Sequence, residues 1–105
     1  MQIKKSYVVR FDEATSLDDI PYQDWRREKY IGNEGVLYVV SDGETQHIQW
    51  NMLKDGMVDF TKGLVSSNDD VIISDKRIMV KTENSYYYFS VIDIEIKEAD
   101  LMKLW

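Results

Sequence analysis

The chain has 105 residues, 19 acidic against 13 basic side chains, a formal charge of -6, 44% hydrophobic content and no cysteine. Those values exclude intrinsic disorder, a disulfide framework and a thiolate zinc site, and they suit one domain with one ordinary core. The negative total repels a nucleic-acid backbone at long range and attracts basic surfaces.

Valine and isoleucine together number 20 against 8 for leucine and alanine, a balance that favours sheet over a helical bundle. In the first eleven residues Ile3, Tyr7, Val9 and Phe11 share one face, which predicts a strand laid against the core. Pro21 stands where a helix can begin. Tyr22, Trp25 and Lys29 recur at helical spacing, and Gly32 can take the left-handed stop, so a helix is expected to about Tyr30.

From Val36 to Trp50 the pattern is a hairpin turning at Ser41 to Glu44, with Val36 to Val40 apolar on both faces as a central strand should be. A second turn is expected at Asp55-Gly56, and Lys62 to Asp70 reads as loop. The run from Val71 to Ile96 carries the most consistent signal. It predicts three strands broken at Ser74 to Lys76 and at Glu83 to Ser85, ending in the alternation of Ile92, Ile94 and Ile96 with Asp93 and Glu95. Leu101, Leu104 and Trp105 make an apolar stripe for a short C-terminal helix.

The expected fold is therefore α+β and mainly antiparallel β. It is a curled sheet or small open barrel of about six or seven strands, with a helix after the first strand and a short C-terminal helix, forming a single domain over residues 1–105. The layout resembles pleckstrin-homology-like barrels in architecture alone, since no motif assigns a family. With no cysteine and no long apolar run near the start, a cytoplasmic location without a membrane span or signal peptide is expected.

Catalytic motifs do not emerge. His47 is the only histidine and lies on the polar phase of its strand with Thr45 and Gln49, which rules out a two-histidine metal site; it reads as an exposed residue. Asp93 and Glu95 share a strand face and could imitate a paired-carboxylate site, although a solvated face is the simpler reading. The five glycines form no phosphate-cradling loop or dinucleotide fingerprint, and Asp69-Asp70 lacks the ligand spacing of a calcium loop. No cofactor, metal or catalytic residue is expected.

Basic residues cluster at Lys4-Lys5, at Arg26-Arg27 with Lys29, and at Lys76-Arg77; gathered beside Tyr86 to Tyr88 they would make a nucleic-acid or lipid-headgroup patch. Acidic residues form three groups: Asp12, Glu13, Asp18 and Asp19; Asp69 and Asp70; and Asp93, Glu95, Glu98 and Asp100. Tyr86 to Tyr88 cannot all face inward from one strand, and exposed tyrosine beside acid suits a protein interface. The leading expectation is a non-enzymatic binding module, an inhibitor in style. It would dock Asp69, Asp70, Tyr86, Tyr88, Asp93, Glu95 and Glu98 on a basic protein surface, such as that of a nucleic-acid-binding protein or nuclease. Phage-encoded inhibitors of defence nucleases and immunity proteins share this small, acidic, motif-free look. The alternatives are a nucleic-acid or lipid-headgroup module and a small metal-dependent enzyme, and a homodimer through an unpaired strand edge is also open.

Overall fold

The computed structural model describes residues 2–22 and 27–93. Seven strands, β1 (Gln2–Ser16), β2 (Glu34–Asp42), β3 (Thr45–Lys54), β4 (Met57–Ser67), β5 (Asp70–Ser74), β6 (Arg77–Lys81) and β7 (Ser85–Asp93), form one antiparallel sheet in the order β4-β3-β2-β1-β7-β6-β5. Every neighbouring pair is consecutive in sequence except β1–β7, which joins a four-strand arm to a three-strand arm.

That order forces the sheet to curl. β4 and β5 are its opposite edges, six strand spacings or about 29 Å apart in a flat sheet. Only Asn68 and Asp69 link Ser67 to Asp70, and three Cα steps span at most about 11 Å. The two edges therefore approach each other at this link, and since β4 and β5 do not pair with each other, the result is one curled, open sheet. Asn68 turns the corner with φ +59.

Alternation supplies the core. Tyr7, Val9 and Phe11 of β1, Leu37 and Val39 of β2, Ile48 and Trp50 of β3, Leu64 of β4, Ile78 and Val80 of β6, and Tyr87 and Phe89 of β7 form one buried cluster. Phe11 is its hub, with its ring 5.4 Å from Trp50, 4.8 Å from Phe89 and 5.8 Å from Tyr87. Glycine admits the indole: a Cβ on Gly35 would lie 2.4 Å from Cε2 of Trp50.

The α+β expectation is corrected to nearly all antiparallel β, with 73% of the described residues in strands and no α-helix among them. In place of a helix after the first strand there is a single 3-10 turn, Glu28–Tyr30, stopped at Gly32 with φ +89. Pro21 bridges Thr15 instead, while Tyr22, Tyr30 and Ile31 pack against the core cluster. Of the residues whose spacing suggested a helix, Tyr22 thus plugs the core while Lys29 is exposed. Trp25, Arg26 and the C-terminal helix expected around Leu101, Leu104 and Trp105 lie outside the described residues.

The stretch expected as loop, Lys62 to Asp70, is strand as far as Ser67 because Leu64 enters the core and Gly63 pairs with Asn51. A register shift displaces Phe60 to Lys62 from the ladder, where Asp59 accepts bonds from the amide and hydroxyl of Thr61. The β5–β6–β7 meander matches its turn signals. Asp75 takes φ +56 between β5 and β6, and the Thr82 hydroxyl accepts from the amides of Asn84 and Ser85 before β7. Val36 to Val40 does lie inside the sheet, but β1 occupies its centre.

Candidate protein-contact face

The outer surface of β5, β6, β7 and β1 is set by register. One cross-strand row runs Asp70, Lys81, Tyr86, Thr15; the next runs Ile72, Met79, Tyr88, Glu13; a third runs Ser74, Arg77, Ser90, Arg10. Directly opposed residues share a face, so Ile72, Met79 and Tyr88 form an apolar band with Tyr86 beside it. Tyr87 points inward. Tyr86 and Tyr88 are half-buried on the outside with rings 6.3 Å apart.

Acidic side chains frame the band at the β1 end. The Tyr88 hydroxyl donates to Oδ1 of Asp19 at 3.0 Å, across a turn in which Asp19 itself has φ +63. Burial and then the Asp19 carboxylate push the Tyr88 phenol up from its ordinary pKa, so it is a protonated donor at neutral pH. Asp12 sits at a register shift in β1, where its carboxylate accepts from Arg10 at 2.8 Å and from the Ser90 hydroxyl, with Arg77 3.8 Å away. The Asp12 contact with Arg10 is also the first cause that raises the Arg10 guanidinium.

The structure distributes the sequence-predicted contact residues unevenly. Tyr86, Tyr88 and Asp70 share the outer face, joined by Glu13 and Asp19 from the first acidic group. Asp69 does not belong there. It is only 4% exposed, its Oδ1 accepts from the Ser66 hydroxyl at 2.6 Å, its amide donates to the Gln46 carbonyl at 2.8 Å, and burial pushes its carboxyl up. It pins the β4–β5 link to β3. Asp93 pairs with Val8 at the end of β7, and Glu95 and Glu98 lie outside the described residues. Ile92 is half exposed at the close of the described strand.

Sequence reasoning missed Ile72 and Met79. Both looked like ordinary strand residues, and only the β5–β6–β7 register aligns them with Tyr88.

Two other arrangements can be placed. His47 faces a groove of about 380 Å³ with Lys4, Tyr38, Gln49, Phe60 and Ser67, and the described lining contains no aspartate or glutamate. Lys4 holds its ammonium 5.3 Å from the Tyr38 ring, and burial lowers its pKa. The basic clusters are spread along the sheet: Lys4 pairs with Val40, whereas Glu13, nine residues or about 30 Å along β1, pairs with Tyr88. Lys4 and Lys5 thus stand apart from the tyrosines, Lys76-Arg77 lies at the β5–β6 turn, and Arg26 is outside the described residues. No group of three His, Cys, Asp or Glu side chains suited to a metal occurs among the described residues.

Comparison with known proteins finds no matching family model, no matching curated protein and no matching solved structure. No helix of the described residues is long and apolar enough to cross a membrane.

Proposed function

We propose that this chain is a non-enzymatic protein-binding module that docks the outer face of β5, β6, β7 and β1 on a basic surface of a protein partner, acting as an inhibitor by occupying it. The observation that carries the reading is the row Ile72–Met79–Tyr88–Glu13, an apolar and aromatic band that ends in acid. Tyrosine with flanking aliphatic side chains supplies contact area at small entropic cost, and the acidic rim of Glu13 and Asp19 supplies steering and orientation.

Long-range attraction follows from the charge of -6, and partners with nucleic-acid-binding surfaces are the natural class. Their basic residues would meet the rim while an apolar or aromatic side chain covers Tyr88.

The experiment is affinity capture from a bacterial cell lysate at low and moderate salt, using the wild type and a Glu13→Lys/Asp19→Lys variant. Capture of a basic protein that weakens with salt and is lost in the variant supports the reading. A protein that captures nothing at either salt, or equal capture by both chains, overturns it.

A further inference from the structure

We infer that the free edge of β5 is a self-association site, at which a second copy of this chain adds its own β5 antiparallel about Ile72. Five of the eight large apolar side chains left exposed among the described residues, Met57, Phe60, Val65, Ile72 and Ile73, lie on the two edge strands. β5 is the more open to pairing. It has the sequence Asp-Val-Ile-Ile-Ser, without the proline or lysine that usually blunts a sheet edge. Ile73 stands on the core-facing side opposite the buried Ile78, yet is 48% exposed, and Ile72 on the outer side is 52% exposed.

Hydrogen-bond phase, with pairing along all five residues of the strand, selects the register. The Val71 amide donates outward to Oε1 of Gln46 at 3.2 Å, so Val71 and Ile73 direct their backbone groups to the free edge while Asp70, Ile72 and Ser74 bond to β6. Antiparallel pairing of two such edges about Ile72 places Val71 of each copy opposite Ile73 of the other, in the hydrogen-bonded position. The Ile73 carbonyl of each copy then takes the place of Gln46 Oε1 at the Val71 amide of the other, and the Ile73 amide bonds the Val71 carbonyl, so each pair exchanges both bonds.

Charge agrees with this register. Asp70 of one copy faces Ser74 of the other, and Arg77 of that second copy is Ser74's own partner on β6. Each Asp70 thus acquires a guanidinium two strand spacings away, about 10 Å between Cα atoms and within reach of an arginine side chain. Lys81 stands on its other side, and no like charges are opposed. The contact is isologous, so it closes as a dimer and joins the two outer faces into one sheet surface.

The chain's lack of cysteine makes the test clean. Ile72 lies at the two-fold axis as a non-hydrogen-bonded pair, where Cα atoms about 4.5 Å apart suit a disulfide. Under mild oxidation Ile72→Cys should form a covalent dimer, while Val65→Cys, 66% exposed on β4, should remain monomeric at the same concentration. Sedimentation of the cysteine-free chain should show a monomer–dimer equilibrium that Ile73→Lys weakens by about tenfold or more, with circular dichroism confirming the sheet in each variant. Equal cross-linking of the two cysteine variants, or a wild type that stays monomeric at millimolar concentration, overturns the inference. Neither outcome bears on capture of a basic partner, which tests the separate reading above.

Discussion

The Tyr88 hydroxyl and the Asp19 carboxylate meet at 3.0 Å although 69 residues separate them in sequence. This contact ties the turn after β1 to the outer face of β7 and holds the phenol of the proposed contact band as a donor. Replacing Asp19 by Asn removes the negative charge that opposes phenolate formation, so Tyr88 should ionise at lower pH than in the wild type. Ultraviolet titration of tyrosine, with Tyr88→Phe to assign the step, checks this; an unchanged titration would separate the two groups in solution.

Packing around the indole gives a second expectation. A methyl at Gly35 would lie 2.4 Å from Trp50 Cε2 and 2.5 Å from the Asn51 carbonyl, both held inside the sheet. Gly35→Ala should therefore cost about 2–3 kcal/mol, seen as a Tm lower by roughly 10–20 °C. Gly56→Ala, at φ +78 in open space, should cost only about 1 kcal/mol.

Phe11 contacts three other aromatic rings and is fully buried, so Phe11→Ala should destabilise by about 3–5 kcal/mol in denaturant unfolding. Val65→Ala, exposed on β4, should stay within about 0.5 kcal/mol. Similar losses at both sites would contradict the placement of the core inside the curl.

Asp69 sets a pH dependence whose sign is fixed by burial. Its carboxyl is raised above the usual range by burial, and Asp70 adds to this, while the Ser66 hydroxyl, the Ile48 amide and His47 pull the other way. Between the ordinary carboxylate pKa and the raised one, the folded chain holds a proton that the unfolded chain has released. This contribution to stability therefore falls as pH rises through that window. Asp69→Asn keeps an acceptor for Ser66 and removes the charge, so its stability relative to wild type should improve from about pH 4 towards neutrality. Parallel stability curves would contradict the buried carboxylate.

Much of the sheet was legible because its signals are local. Asp55-Gly56 and the polar break at Ser74 to Lys76 mark turns through a few adjacent residues, and alternation separates Tyr87 from Tyr86 and Tyr88. The helix expected after β1 rests on the spacing of Tyr22, Trp25 and Lys29, yet Tyr22 plugs the core while Lys29 is exposed; Tyr22 reaches Ser85 with its hydroxyl at 2.6 Å. Asp69 looked like surface acid because the groups that bury it, Gln46 and Ser66, approach only once β4 and β5 meet. Likewise the Ile72–Met79–Tyr88–Glu13 row joins four strands, and adjacent residues cannot disclose it.

The central claim is that Tyr88 and its row carry partner binding. Its most direct test is isothermal titration of the captured partner with the wild type, Tyr88→Ala and Val65→Ala. The account predicts a loss of about 2 kcal/mol, roughly 30-fold in Kd, for Tyr88→Ala and less than about twofold for Val65→Ala. Unchanged affinity in Tyr88→Ala, or a larger loss in Val65→Ala, would contradict it.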